Sequence, residues 1–91
     1  MYEIVFSESY EKRAKQFFKL HPELIQRYQK ILYIMQNNLN HPSLRLHKLK
    51  GNLKELYSVS IDLKYRIILD FIIKDKMIIL VDIGAHDDVY Y

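Results

Sequence analysis

The second half of the chain contains three successive apolar runs joined by short polar turns, and this pattern leaves few folds open. The runs cover residues 55–61, 65–73 and 77–83, with turns at 62–64 and 74–76. Within each run apolar side chains occupy every second position, which is the period of a β-strand. Because connections this short join antiparallel neighbours, the sequence predicts a meander in which the last two strands pair.

The first half of the chain supplies a layer that can cover this meander. Residues 2–6 alternate like a further strand, and two helices follow, from Glu8 to about Leu20 and from Pro22 to about residue 38. Each helix has one apolar stripe at helical spacing. We therefore expect an α+β fold of the order β-α-α-β-β-β, with a mostly antiparallel four-stranded sheet packed on one face by a helical hairpin.

The other face of the predicted sheet is mixed and would be open. A sheet that is covered on one face only can present polar groups to a ligand on the other. Strict alternation predicts that this open face carries Ser58, Ser60, Arg66, Asp70 and Asp82 together with Ile68, Ile78 and Leu80.

Composition excludes several classes of protein. The 91 residues suffice for one domain, residues 1–91, and a hydrophobic fraction of 49% argues against disorder. The chain has no cysteine, which excludes disulfides, thiolate metal sites and a cysteine nucleophile. No signal-like segment opens it, and no apolar run approaches the ~20 residues of a membrane span. We expect a soluble protein of the cytoplasm.

Positive charge is concentrated between residues 41 and 66. This segment holds six Lys or Arg residues against two acids, whereas residues 67–91 hold two against five. Such a block is commonly a solvated loop, but it also suits an anionic partner such as nucleic acid or an acidic protein segment. Its cations are Arg45, Lys48, Lys50, Lys54, Lys64 and Arg66.

The end of the chain, DIGAHDDVYY, crowds acid–base groups into its last six positions. These groups are His86, Asp87, Asp88, Tyr90 and Tyr91. Three interpretations compete: a metal site, a catalytic tail, or a polar end that keeps a strand soluble. Adjacent residues rarely ligate one ion together, which disfavours the metal site.

Three strings, taken in this order, resemble the RelE/ParE superfamily of toxins from bacterial type II toxin–antitoxin systems. They are LHKLKGNLKELYSVSI (46–61), KYRIILDF (64–71) and GAHDDVYY (84–91). The family pattern is a Leu-Lys-Gly turn before a strand, a Tyr-Arg strand and a Gly-x-His/Arg…Val-Tyr ending. The resemblance covers the chain in length and element order. Most members similar to this chain, of the RelE, YafQ and YoeB types, are mRNA interferases.

The resemblance implies a catalytic set of four residues. His47 falls where some members have a catalytic His and others a Glu, and Arg66 matches an arginine that acts on the scissile phosphate. His86 holds the position of a catalytic His or Arg, and Tyr90 matches a tyrosine that stacks on a base. The implied RNA-binding residues are Arg45, Lys48, Lys50, Lys54 and Lys64.

Residues of these types can cleave RNA without a metal or any other cofactor. Attack of a 2′-hydroxyl on the neighbouring phosphate needs a base, an acid and cations for the developing charge. A histidine serves as base or acid near neutral pH, and the planar fork of Arg66 can bind two phosphate oxygens. Which of His47 and His86 is the base stays open.

The resemblance also implies partners and leaves alternatives. We expect a cognate antitoxin, mRNA with the ribosome, and operator DNA reached only through the antitoxin. A cationic cleft lined with Ile68, Ile78 and Leu80 would suit an amphipathic, partly acidic antitoxin segment. The alternatives are a ParE-like inhibitor of DNA gyrase, an inactive relative that only binds its antitoxin, and a Mg²⁺ nuclease using Asp82 with the two tail acids.

Overall fold

The computed structural model describes residues 1–50, 56–72 and 75–85, and only the backbone of residues 71 and 72. Two short 3₁₀ turns, Pro22–Leu24 and Pro42–Leu44, precede the second helix and the second strand. The helices and strands in chain order are β1 (Glu3–Phe6), α1 (Glu8–Leu20), α2 (Ile25–Asn37), β2 (His47–Lys48), β3 (Tyr57–Ser60), β4 (Tyr65–Ile72) and β5 (Met77–Ala85).

Within these ranges the strands form one five-stranded sheet in the order β1-β5-β4-β3-β2. β1 runs parallel to β5, and every other pair is antiparallel. The α+β class, the mostly antiparallel sheet and the pairing of the last two strands are confirmed. The predicted count of four strands is wrong, because His47 and Lys48, which were expected in a loop, pair with Ser58 and Tyr57. Part of the cationic segment therefore belongs to the sheet.

Local sequence explains where the helices begin and end. The Ser7 hydroxyl accepts a hydrogen bond from the Tyr10 backbone N–H at 3.2 Å, which caps α1 at its first turn. α1 ends at Leu20 because Pro22 disfavours helical geometry in the residue before it. α2 begins later than predicted, at Ile25, since the residues from Pro22 onward first form the tighter 3₁₀ turn.

The main core lies between the helices and one face of the sheet. Full burial of one aliphatic or aromatic side chain contributes about 1.5–3 kcal/mol, so this layer dominates the stability of the fold. Its buried members are Tyr10, Ala14, Ile31, Met35, Leu39, Leu44, Val59, Ile61, Ile67, Leu69, Ile78, Leu80 and Ile83.

The pairing of β4 with β5 contains a register shift. Ile68 pairs with Asp82, but the next residue, Leu69, pairs with Leu80, so Val81 has no direct partner across the ladder. An extra residue of this kind is a β-bulge, which locally interrupts the alternation of side chains between the two faces.

The bulge changes the predicted faces of β5. Ile78 and Leu80 lie in the main core with Ile83, although strict alternation assigned the first two to the open face. The prediction that Ile78 and Leu80 line an open cleft is therefore wrong. Asp82 was also expected on the open face, but its carboxylate lies 2.9 Å from the guanidinium of Arg13 on α1.

A pair of phenols joins the two helices. The hydroxyls of Tyr10 and Tyr28 lie 2.9 Å apart, with Tyr10 fully buried and Tyr28 half-buried. Burial raises the pKa of Tyr10 far above its ordinary value, and the charges of Tyr28 and Asp82 add to the effect. Burial also raises the pKa of Tyr28, although its hydrogen bond to Tyr10 acts in the opposite direction.

The two phenols differ in exposure, so removing one hydroxyl should cost more than removing the other. Tyr28→Phe leaves the Tyr10 hydroxyl buried without its partner, and we expect it to lower the free energy of unfolding by about 1–3 kcal/mol. Tyr10→Phe leaves the Tyr28 hydroxyl near solvent and should cost about 0.5–1.5 kcal/mol. Urea unfolding measures both values, and a larger cost for Tyr10→Phe would contradict the assignment.

The raised pKa of Tyr10 should make the fold sensitive to alkali. The unfolded chain loses this proton near the ordinary pKa of 10.0, whereas the folded chain retains it. The contribution of Tyr10 is therefore fully present below that pH, and stability falls above it by about 1.4 kcal/mol per pH unit. Urea midpoints across alkaline pH measure the slope, which Tyr10→Phe should reduce. An unchanged slope in this variant would contradict the prediction.

Candidate active site

The register of the sheet places His47 and Arg66 on either side of β3. His47 pairs with Ser58, and Arg66 pairs with Ser60. The two serines are two residues apart, so their side chains lie on the same face of the strand. Directly opposed residues share a face, which places all four side chains on the side away from the main core. Strand geometry separates the backbones of His47 and Arg66 by ~12 Å, and their side chains reach into the space between.

The imidazole of His47 is held at the edge of the sheet. Its Nδ1 lies 3.2 Å from the carbonyl oxygen of Arg45, and its Nε2 lies 3.3 Å from the hydroxyl of Ser58. A carbonyl oxygen can only accept, so Nδ1–H donates to Arg45, and in the neutral ring Nε2 can then accept from the Ser58 hydroxyl, which also lies 3.5 Å from Nδ1. His47 is exposed, whereas Ser58 is fully buried. The ring is thus held at the exposed edge of the sheet, with Nε2 against the hydroxyl of a buried serine.

The guanidinium of Arg66 has one hydrogen-bond partner on β3 and one nitrogen, Nε, without a partner among the described residues. Its Nη1 donates to the hydroxyl of Ser60, which is buried. On β5 its direct partner is Gly84, which has no side chain to crowd the guanidinium. Its Nε is buried and has no hydrogen-bond partner among the described residues. A buried donor without a partner costs about 1–3 kcal/mol, so an anion that accepted from it would be bound favourably.

The open face is partly covered by a second apolar cluster. Leu49 and Ile68 are buried in it, and Leu56 and Val81 pack against them. Ile68 lies on the open face as predicted, but Leu49 covers it. Together with the burial of Ile78 and Leu80 in the main core, this removes the apolar lining that the sequence predicted for an antitoxin cleft.

The predicted RNA-binding cations do not lie together on one surface. Alternation along β2 places Lys48 on the face of its partner Tyr57, opposite to His47, and Lys50 is exposed just beyond this strand. Arg45 and Lys64 come together at a cleft of about 390 Å³. Predicted site residues Lys54, His86 and Tyr90 lie outside the described residues.

The cleft beside Arg45 contains residues that sequence reasoning missed. Arg27 of α2 lines it together with Ser60, the same serine that accepts from Arg66. Ser60 was predicted on the open face without a role, and only its register opposite Arg66 reveals one. Arg27 lies on the polar side of α2, where the sequence gives no signal that separates a binding residue from a solvated one.

The described part of the chain shows two further negative features. It contains no group of three His, Asp or Glu side chains arranged to hold a metal ion. Neither does any helix in this part have the length and apolar character that crossing a membrane requires.

The contact between Ser60 and Arg66 can be tested with a double-mutant cycle. We expect Ser60→Ala and Arg66→Met to be coupled by at least about 0.5 kcal/mol in the free energy of unfolding, because the hydroxyl accepts directly from the guanidinium. Urea unfolding of the two single variants and the double variant measures the coupling. Ser9→Ala, at an exposed position of α1, combined with Arg66→Met is the matched control and should show none. Strict additivity of the first pair would refute the contact.

Comparison with known proteins shows that the sequence matches a family model. Residues 5–86 match the model of HigB-like toxins, the RelE-like toxin of the type II toxin–antitoxin system HigB. Among curated proteins, none matches the sequence.

Solved structures share the fold over nearly the whole chain. YafQ from E. coli strain BL21(DE3) has 16% identity, with 100% of both chains covered and a TM-score of 0.81. A metal-bound toxin from Helicobacter pylori has 21% identity, covering 99% of this chain and 100% of the other, at a TM-score of 0.81. A chain of the E. coli DinJ–YafQ toxin–antitoxin complex has 20% identity, covering 99% of this chain and 98% of the other, at a TM-score of 0.79. At these identities the likeness concerns the fold.

Proposed function

This chain belongs to the HigB-like family of RelE-like toxins of type II toxin–antitoxin systems, and from this premise we propose that it is a metal-independent endoribonuclease. Its substrate would be mRNA, cleaved in association with the ribosome, so that translation is inhibited. The membership in the RelE/ParE superfamily that the three sequence strings indicated is confirmed. The observation that carries the proposed reaction is the guanidinium of Arg66, which Ser60 anchors while its buried Nε has no partner in the described part of the chain.

The proposed reaction is attack of a 2′-hydroxyl on the adjacent phosphorus. A base removes the hydroxyl proton as the 2′-oxygen bonds to phosphorus, and an acid protonates the departing 5′-oxygen. The products are a 2′,3′-cyclic phosphate and a free 5′-hydroxyl. His47, whose Nε2 lies 3.3 Å from the Ser58 hydroxyl, would take the first role by exchanging this contact for one with the 2′-hydroxyl. We assign His86 to the complementary role.

Arg66 would stabilise the charge that develops on the phosphate. Its planar fork can donate two parallel hydrogen bonds to two phosphate oxygens, which a lysine cannot do. Preorganised donors of this kind contribute a factor of about 10²–10³ each to the rate. Tyr90 is proposed to stack on an unstacked base, and Arg45, Lys48, Lys50, Lys54 and Lys64 to contact the RNA backbone.

A cognate antitoxin is proposed as the protein partner. The family takes its name from a toxin–antitoxin system, and one structurally similar chain comes from a toxin–antitoxin complex. Operator DNA would be reached through the antitoxin. The apolar residues that the sequence predicted for an antitoxin cleft are buried in the fold, so they are not the surface that the antitoxin would contact.

Replacement of Arg66 by lysine tests whether the residue acts through its positive charge alone or also through the planar geometry of the guanidinium. Arg66→Lys keeps the positive charge but loses the fork, so we expect RNA cleavage to fall by about 10²-fold or more while the protein stays folded. His86→Gln should also abolish cleavage. Primer extension on a reporter mRNA after brief induction, with and without translation, maps the cuts. Arg13→Lys, at an ion pair on α1, is the matched control and should cleave normally.

The same experiment separates the alternatives. Cuts inside translated frames that disappear in both site variants support the proposal. Growth arrest with DNA damage and intact mRNA would indicate a ParE-like gyrase inhibitor instead. If expression is harmless, the chain is an inactive relative, and if both site variants cleave like wild type, the site assignment is wrong.

A further inference from the structure

We propose that a second basic surface, on the side of the sheet that faces α2, binds the RNA backbone beyond the reaction centre. We call it the α2 trough and define it by Arg27, Lys30, His41, Arg45 and Lys64. The inference rests on the proposed ribonuclease function and extends its substrate-binding surface to residues of α2.

The trough consists of two clefts that join. One is about 390 Å³ and is lined by Arg27, Arg45 and Lys64, and the other is about 310 Å³ and is lined by Arg27, Lys30 and His41. Both clefts share Arg27, Ser43 and Ile61, so they adjoin at these three residues. The result is an elongated depression, which fits an extended ligand better than a single small anion.

The cations of the trough come from three separate parts of the fold. Arg27 and Lys30 lie one helical turn apart on α2, Arg45 follows the second 3₁₀ turn, and Lys64 lies in the turn between β3 and β4. None of these four is within ion-pair distance of an acid among the described residues. Positive charges gathered without counter-charges repel one another, and a polyanion relieves that repulsion.

The single acid in the lining is already engaged. Asp62 lines the larger cleft, but its carboxylate accepts hydrogen bonds from the backbone N–H groups of Lys64 and Tyr65, at 2.9 and 2.7 Å. These bonds hold the turn between β3 and β4 in shape. The carboxylate thus positions Lys64, and the lining keeps its net positive charge.

Ser60 connects the trough to the reaction centre. Ser60 is buried and lines the larger cleft, and its hydroxyl, on the face away from the main core, accepts the hydrogen bond from Nη1 of Arg66. The trough therefore reaches the residue that anchors the guanidinium of Arg66. In this proposal, an RNA strand with its scissile phosphate at Arg66 continues around the end of β3 towards Arg45 and Lys64, and then along α2 towards Arg27 and Lys30.

The floor of the trough is apolar. Ile31, Ile34 and Ile61 line the smaller cleft between the cations. Cations flanking an apolar surface suit a nucleic-acid strand, whose phosphates pair with the charges while bases or sugars lie on the floor. The same phosphate chemistry is offered by the mRNA strand and by ribosomal RNA, and the experiment distinguishes these two sources.

The test removes two cations from the trough and two from elsewhere. Arg27→Ala with Lys30→Ala changes α2, and Lys12→Ala with Lys15→Ala, at exposed positions of α1, is the matched control. The probe is a single-stranded RNA carrying 2′-O-methyl groups, which cannot be cleaved. We expect the trough variant to bind it several-fold more weakly, with a slope of log affinity against log salt reduced by about 0.7 for each lost phosphate contact. The control should match wild type.

A second arm uses mRNA on the ribosome. If the mRNA strand occupies the trough, the loss appears with free RNA and on the ribosome, as a raised KM with little change in kcat. If ribosomal RNA occupies it, the loss is confined to the ribosome. The proposal is overturned if the trough variant equals its control in both arms, or if it loses affinity for an acidic peptide while binding RNA normally.

The two proposals fail in different ways. A wild-type protein that binds the uncleavable RNA with full salt dependence, but never cuts its cleavable counterpart, would refute the ribonuclease function alone. A wild-type protein that cleaves RNA, with a trough variant that binds and cleaves like its control, would refute the trough alone.

Discussion

The long antiparallel pairing of β4 with β5 is the interaction on which the rest of the structure depends. β4 and β5 are the longest strands among the described elements, and they hold β1 on one side and β3 on the other. Their ladder pairs Arg66 with Gly84, and the neighbouring β3–β4 ladder pairs it with Ser60, whose hydroxyl accepts from the guanidinium. The bulge in the same ladder turns Ile78 and Leu80 onto the helices, which completes the main core. Both the core and the position of Arg66 therefore depend on how β4 pairs with its neighbours.

Much of this fold could be predicted from the sequence because its elements are marked locally. Alternation and short turns located β3, β4 and β5, and Ser7 and Pro22 marked the ends of α1. Two features were beyond such reasoning. A two-residue strand such as β2 has no periodicity of its own and forms only because β3 offers an edge. A bulge is a property of a pair of strands, so the sequence of β5 alone does not reveal it.

The candidate site, too, could be predicted from the sequence only in part. Resemblance to a family singled out His47 and Arg66, and the register brings both to the same face of the sheet. It gave no role to Ser60, whose importance comes from a neighbour on another strand. It treated the cations as one group, whereas the fold separates Lys48 from the face of His47 and gathers Arg45 and Lys64 with Arg27. The charged residues can be counted in a sequence, but the surface on which each charged side chain lies depends on the tertiary structure.

The bulge at Val81 also has a consequence for how this chain can vary. Substitution of Val81 changes one side chain at the surface of a small cluster. Deletion of Val81 would restore regular alternation and leave Ile78 and Leu80 on the helices, because Leu80 already pairs with Leu69 and Asp82 with Ile68. Homologous chains that lack the bulged residue should therefore still place the residues equivalent to Ile78 and Leu80 in the main core.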